Sequence, residues 1–223
     1  GDLLRAFLRG VLPPMALVGA VLGSIIGGVA APTEAAAMGA FGAILLVIGL
    51  GKMNMNVLRD TLRQTLITTS MIMFIILASQ AFSLAFRGLG VEDLIAEFME
   101  LVPGGLWGTI IFMMILLFIL GFFLEWIEIS YIVLPLLLPF FVAAGVDMVW
   151  LGILICINLQ TSFLTPPFGW ALFFLKGCAP PEVKVMEIYK GVIPFIGLQV
   201  LGLGLVMAFP DIATWLPKAI GWM

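Results

Sequence analysis

Histidine is absent from this 223-residue chain, and cysteine occurs only twice, at Cys156 and Cys178. Zinc sites, haem sites and Cys/His nucleophiles draw on these residues, so the chain lacks their ligand sets. Charge is also scarce: 10% of residues are charged, the net charge is −3, and no basic cluster could follow a phosphate backbone. The sequence therefore predicts a protein that is not an enzyme, binds no nucleic acid and holds no cofactor.

Apolar residues make up 63% of the chain, against about 45–50% in soluble domains, and the mean hydropathy is +1.24. Apolar runs of spanning length recur along the whole chain instead of at one end. The pattern predicts an all-α polytopic membrane protein, embedded in lipid, with about six crossing helices and a re-entrant hairpin. The expected crossings are residues 11–28, 35–50, 66–86, 106–124, 126–144 and 192–209.

The chain divides into four expected regions. They are a broken helix pair around the sequence GGVAAPTE (1–51), amphipathic and scaffold-type helices (52–148), the re-entrant hairpin (149–178), and a last crossing with an interfacial tail (179–223). Within the second region, residues 91–101 predict a helix that lies in the membrane interface. A hairpin is expected because two arms of about 12–15 residues are each too short for a hydrocarbon core about 30 Å thick.

Two short segments each allow two interpretations. Gly27, Gly28 and Pro32 interrupt the first apolar stretch. The interrupted segment is either unwound backbone at membrane depth that is able to hold a cation with Thr33, or the ordinary start of a helix. Glu125 and Glu128 lie one turn apart between two crossings. They either relay protons or bind a cation, or they flank the membrane edge.

The centre of the hairpin is polar and contains prolines, with the sequence NLQTSFLTPPFG. Its polar side chains are Asn158, Gln160, Thr161, Ser162 and Thr165, and Pro166 and Pro167 follow. Amides, hydroxyls and backbone carbonyls released by proline are the ligands that hard cations take. This segment therefore predicts a cation site, unless its polar groups only cap two short helices.

An approximate internal repeat relates the two ends of the chain. Residues 9–13 (RGVLP) reappear as residues 190–194 (KGVIP), and five expected crossings lie between the copies. An odd number inverts the second copy, which is typical of secondary transporters. The hairpin precedes only the second copy, so we expect these residues to be the second part of a longer protein, or another chain to supply the first part. The positive-inside rule, six basic residues against four, places the N-terminus inside and the hairpin on the outer face.

Three strings carry a family resemblance: PTEAA at 32–36, GFFLEWIE at 121–128 and NLQTSFLTPPFG at 158–169. Together they resemble the large membrane subunit of tripartite ATP-independent periplasmic (TRAP) transporters, and the third string is similar to its mannitol/chloroaromatic-type branch. The likeness covers the whole chain but only the C-terminal half of that subunit.

The resemblance implies an elevator-type permease in the bacterial inner membrane that takes up a small organic acid with sodium as the coupling ion. The implied partners are the N-terminal half of the large subunit, a small TRAP membrane subunit and a periplasmic substrate-binding protein. The implied ion and substrate residues are Asn158, Thr161, Ser162, Thr165, Pro166, Pro167 and Gly169, with Gly28, Pro32 and Thr33 at the other sodium site. The sodium candidates among them are Thr33, Asn158, Ser162 and Thr165. Ala31 stands where the family has a threonine, which removes one hydroxyl.

A different class of function is also consistent with the sequence. The family's first hairpin has no counterpart in these residues, so the chain would alternatively be a non-transporting membrane assembly subunit derived from a split or truncated permease.

Overall fold

The computed structural model describes Phe7 and residues 10–166, 169–180 and 182–221, with only the backbone of Glu92 and Trp170. Every regular element in these ranges is a helix. In chain order they are α1 (Leu12–Ile26), α2 (Pro32–Gly49), α3 (Met55–Gly88), α4 (Val91–Leu101), α5 (Gly105–Leu120), α6 (Trp126–Ala143), α7 (Met148–Leu164), α8 (Trp170–Cys178), α9 (Val185–Ala208) and α10 (Asp211–Ala219). The prediction of an all-α polytopic membrane protein is confirmed.

Within the described residues, the helices are long and apolar enough for four or five membrane spans. By length and composition α2, α3, α6 and α9 qualify, and the bent pair α4–α5 adds a fifth. The sixth expected crossing, residues 11–28, corresponds to α1, whose 15 described residues rise about 22 Å and form a shorter apolar helix than the others.

Several expected boundaries are wrong. The amphipathic lead-in and the span predicted from residue 66 form one continuous 34-residue helix, α3. The crossing predicted to end at residue 124 ends at Leu120, because residues 121–124 form turns. The helix that contains the last expected crossing begins at Val185, since the backbone N–H of Lys184 donates to the Glu187 carboxylate and caps this start.

The chain divides into two compact units, with the boundary between Thr69 and Ser70 inside α3. In the first unit, α1 and α2 pack against each other as an antiparallel pair, in which Gly39 lies beside Val21 and Gly42 beside Leu17. A Cβ at Gly42 would lie 2.4 Å from a Leu17 methyl carbon. Small residues of this kind let two helices approach closely in a membrane.

In the second unit, α4 and α5 meet at a sharp bend of 111°. If α5 crosses the membrane, this angle puts α4 close to the membrane plane, as predicted for residues 91–101. The side of α4 that faces the unit carries Met99, which is buried, and the Thr109 hydroxyl donates to the Met99 carbonyl at 3.3 Å. The apolar side chains of Leu94 and Leu101 face outward.

Helix α7 is the centre of the second unit. It packs against α5, α8, α9 and α10, and eight of its 17 residues are buried. The Asp147 carboxylate accepts the backbone N–H groups of Val149 and Trp150 and so fixes its start. The Trp150 indole N–H donates to the Val206 carbonyl of α9 at 2.8 Å. The N-terminal part of α7 is therefore held in the core, and the polar residues follow at its C-terminal end.

Candidate functional site

Four of the predicted site residues share one face of α7 near its C-terminal end. Asn158, Thr161, Ser162 and Thr165 are spaced i, i+3, i+4 and i+7, which aligns them along a single side of a helix. The first three are 3%, 1% and 0% exposed, and Thr165, the residue after the last turn, is half-buried. The fold thus collects these polar groups in the interior.

The neighbouring helix α5 contacts this face at two points. The Asn158 amide donates to the Met114 carbonyl at 2.7 Å. Ser162 lies against Gly121, where a Cβ would approach the Ser162 hydroxyl oxygen to 2.2 Å. Only a glycine leaves room for the serine there, so the end of α5 and the end of α7 are in direct contact.

Each of the three hydroxyl groups on this face lies within hydrogen-bonding distance of a carbonyl of its own helix, and the Thr161 hydroxyl also lies 3.0 Å from the Gln199 amide oxygen of α9. Thr161 donates to the Ile157 carbonyl at 2.8 Å, Ser162 to the Leu159 carbonyl at 2.7 Å, and Thr165 to the Thr161 carbonyl at 2.7 Å. A hydroxyl has one proton and two lone pairs, so each oxygen can still accept a hydrogen bond or bind a cation.

Four helix ends meet around Ser162 and the turn that follows it. The C-terminal ends of α5 and α7 lie on one side, since Gly121 touches Ser162. The N-terminal ends of α6 and α8 line a common cavity of about 360 Å³ with Phe163, through Trp126 and Ala171, and Glu125 also lines it. Helix C-termini carry partial negative charge and N-termini partial positive charge, so the two sides favour ions of opposite sign.

The turn between α7 and α8 contains the remaining hairpin candidates. Pro166 is half-buried, and Pro167 lies outside the described residues. Gly169 is buried, and a Cβ there would lie 2.8 Å from the Phe163 carbonyl oxygen. Its own carbonyl accepts the Leu172 N–H at 2.9 Å, which starts α8. Gly169 therefore allows the second arm to pack tightly against the first.

The candidates of the other predicted sodium site belong to the first unit. Gly28 has a left-handed backbone with φ of +67°, and Pro32 occupies the first turn of α2. Gly28, Pro32 and Thr33 are exposed, and the Glu34 carboxylate accepts the Ala31 N–H at 2.9 Å. The segment is a non-helical break between two helices, and it also contains an ordinary helix cap. Its role in a sodium site stays a prediction.

Glu128 has a defined structural contact. Its carboxylate accepts the Glu125 N–H at 3.1 Å and closes a capping box at the start of α6. This cap was not among the alternatives that the sequence allowed for the pair, and both of those alternatives stay predictions. Helix α6 then continues through a π-helical segment, Ile129–Val133, which ends just before Pro135, a residue without an N–H.

Three contacts of this site were not predicted from the sequence. The Met114 carbonyl has no sequence signal, because every residue has a carbonyl group. Gly121 was noted only as part of a family string. Gln199 of α9, whose amide oxygen lies 3.0 Å from the Thr161 hydroxyl, has a usable signal, because it is the only hydrogen-bonding side chain from residue 191 to residue 208.

Comparison with known proteins gives several permease proteins of TRAP transporters among the relatives. The C4-dicarboxylate TRAP transporter large permease protein DctM of Vibrio cholerae is 31% identical over 92% of this chain and 49% of its own length. The sialic acid TRAP transporter large permease protein SiaM of the same organism is 25% identical, covering 97% of this chain and 49% of the relative. The ectoine TRAP transporter large permease protein TeaC of Halomonas elongata is 28% identical, covering 94% and 49%.

The chain therefore spans about half the length of these curated relatives, at 49% of each. They are permeases and not enzymes, in agreement with the sequence prediction, and they do not favour the assembly-subunit alternative. With its apolar helices, the chain is a multi-pass inner-membrane protein. The family "Tripartite ATP-independent periplasmic transporter, DctM component" matches residues 2–212. The chain belongs to this family of large TRAP permeases.

Proposed function

We propose that this chain is the C-terminal half of a TRAP large permease that couples uptake of a small organic acid to sodium by an elevator mechanism. In this proposal the binding protein in the periplasm delivers the acid, and a small membrane subunit and the N-terminal half of the large subunit complete the permease. The hairpin string supports the mannitol/chloroaromatic-type branch.

The observation that carries the proposal is the buried polar face of α7. Asn158, Thr161 and Ser162 are at most 3% exposed, although the chain around them is apolar. Polar groups at membrane depth are costly and are usually retained for an ion or substrate pathway. The Ser162 hydroxyl oxygen keeps free lone pairs, because its proton goes to a helix carbonyl. Oxygen donors without a strong fixed charge suit a sodium ion that must bind and leave.

The helix ends add an electrostatic argument for sodium. The C-terminal ends of α5 and α7 meet where Gly121 contacts Ser162, and both are sources of partial negative charge. A cation bound by Ser162 or Thr165 would lie near both ends. In transporters with broken helices, such C-terminal ends and unwound carbonyls coordinate sodium.

The start of α8 supports an anionic substrate. Its N-terminal end follows Gly169 and faces the cavity that Phe163 and Ala171 line. Partial positive charge at a helix N-terminus attracts carboxylates. Two of the relatives are named for acids, a C4-dicarboxylate and a sialic acid, which is consistent with this class of substrate.

The break in the first unit is proposed as the second sodium site. Gly28 leaves the helix at positive φ, and Thr33 offers an exposed hydroxyl within the first turn of α2. Ala31 contributes no side-chain ligand, so backbone carbonyls of the break would have to supply the missing oxygen.

Uptake by the complete transporter in proteoliposomes tests the proposal. With the binding protein present, the unaltered protein should accumulate substrate only under an inward sodium gradient. Thr165→Val removes one oxygen ligand of the proposed sodium ion, so the sodium concentration for half-maximal uptake should rise several-fold. The amount of protein in the membrane should stay the same. Sodium-independent uptake by the unaltered protein would refute the coupling.

Thr61→Val is the matched control. The Thr61 hydroxyl is exposed on α3 and donates to the carbonyl four residues earlier at 2.8 Å, as Thr165 does. The substitution therefore removes the same local hydrogen bond from a place with no proposed ion. An equal sodium shift in both variants would exclude Thr165 from the site.

A further inference from the structure

Gln199 is an isolated polar side chain in an apolar helix. From residue 191 to residue 208 no other side chain of α9 carries a hydrogen-bonding nitrogen or oxygen. A side-chain amide at membrane depth is costly unless it finds a partner. Gln199 is half-buried, and its partner is Thr161 on α7, at 3.0 Å.

The contact joins Gln199 to a hydroxyl that is already engaged. Thr161 has one proton and lies 2.8 Å from the Ile157 carbonyl. Both contacts are satisfied together when that proton goes to Ile157 and the Gln199 amide turns its NH₂ group toward the Thr161 oxygen. The amide of Gln199 then holds Thr161 from outside its own helix.

Thr161 is connected to the end of α7. Its backbone carbonyl accepts the Thr165 hydroxyl at 2.7 Å, and the Thr165 N–H donates to the Ser162 carbonyl at 3.1 Å. Thr165 is the residue at which helical geometry stops. A displacement of Thr161 relative to α9 would therefore move the last turn and the oxygens of Ser162 and Thr165.

We propose that Gln199 is a positioning residue, which fixes the last turn of α7 against α9 through Thr161 and so sets the geometry of the sodium ligands. The statement that this turn carries sodium ligands rests on the proposed function. Gln199 itself is not proposed as a sodium ligand.

Sodium dependence of uptake by the complete transporter is the first test. Gln199→Met keeps the length of the side chain and removes its hydrogen-bonding group. We expect a roughly three- to ten-fold rise in the sodium concentration for half-maximal uptake, the range of one interhelical hydrogen bond. Thr161→Val should give a similar rise, and the double variant should exceed neither single variant, because both remove one interaction. Thr161→Ser, which keeps the hydroxyl, should restore most of the response.

Two controls separate positioning from a general loss of structure. Gln80→Met makes the same change at an exposed glutamine of α3 and should leave the sodium response unchanged. Amide hydrogen exchange in residues 157–166 should become faster in Gln199→Met and not in Gln80→Met, with or without sodium.

The outcomes distinguish the two proposals. If the unaltered protein takes up substrate without sodium, the proposed coupling fails, and with it the sodium part of this inference. In that case, amide hydrogen exchange in residues 157–166 of Gln199→Met still shows whether Gln199 holds the last turn of α7. An unchanged half-maximal sodium concentration in Gln199→Met, or fully additive effects of Gln199→Met and Thr161→Val, would overturn the positioning role.

Discussion

At the scale of single residues, packing explains the site better than composition does. Ser162 has no exposed surface because Gly121, the residue that ends α5, has no side chain. Asn158 is 3% exposed and yet satisfied, because its amide reaches the Met114 carbonyl across the helix interface. A close backbone and a correctly placed carbonyl are what make buried polar residues tolerable in an apolar unit.

Gly121→Ala tests this packing. The new methyl group would lie 2.2 Å from the Ser162 hydroxyl oxygen and 2.9 Å from its Cβ, so we expect a loss of about 1–3 kcal/mol of stability. The thermal midpoint of the purified protein in detergent should fall. Combining Gly121→Ala with Ser162→Gly removes both clashing atoms and should recover part of the loss.

Gly197→Ala is the control, since a Cβ at Gly197 meets nothing within 4 Å. It should be neutral or slightly stabilising, because alanine is the better helix former. Equal thermal midpoints for Gly121→Ala and Gly197→Ala would show that the space between residue 121 and Ser162 is large enough for a methyl group.

At the scale of elements, glycines form the sharp bend between α4 and α5. Gly104 and Gly105 both have positive φ, at +97° and +60°, which glycine adopts without strain. Gly108 then lets the first turn of α5 press against Pro103: a Cβ there would lie 2.0 Å from the Pro103 carbonyl oxygen. Because the obstacle is backbone, it cannot rotate away as a side chain could.

Gly108→Ala should therefore be more harmful than an ordinary helical substitution, with a loss of at least about 2 kcal/mol and lower yield in the membrane. Gly19→Ala in α1, where a Cβ meets nothing within 4 Å, provides the comparison. The thermal midpoint and the expression level should both be lower for Gly108→Ala than for Gly19→Ala. If Gly108→Ala were as stable as Gly19→Ala, the bend would not depend on this contact.

At the scale of the whole molecule, the surface is that of a protein solvated by lipid. Large apolar side chains remain outside, and on α3 alone Phe74, Leu77 and Leu84 are each more than 70% exposed. In water such a surface would aggregate, whereas in a bilayer it is the ordinary lipid-facing side of a helix. The orientation of the protein in that bilayer depends on the few basic residues in its loops.

With α1 counted as a crossing, the positive-inside pattern predicts that the open end of the hairpin faces the periplasm. Cys178 ends α8, is exposed, and is a free thiol. In a Cys156→Ser background, a membrane-impermeant maleimide should label Cys178 in cells whose outer membrane has been permeabilised and whose inner membrane is intact. Lys52→Cys, placed in the loop after α2 in a chain without other cysteines, should react only after the inner membrane is opened. The reverse labelling pattern would show that the protein has the opposite orientation in the membrane.

Sequence periodicity and composition determined the helical membrane class, the break at Gly28 and Pro32, and the polar end of the hairpin, because these depend on local properties of the chain. Apolar runs of spanning length favour helices in a bilayer, because a helix satisfies its own backbone groups, and a glycine pair followed by a proline favours an interruption of the helix. Boundaries depend partly on contacts outside the run, which is why α3 and α9 extend beyond the predicted spans.

Only the tertiary structure decided which atoms meet at the site. Asn158 and Met114 are 44 residues apart in sequence, and Thr161 and Gln199 are 38 apart, so no local pattern joins them. The packing of α7 between α5 and α9 brings these groups together. The types of residue at the end of α7 follow from local chemistry, whereas their partners follow from the way the helices pack.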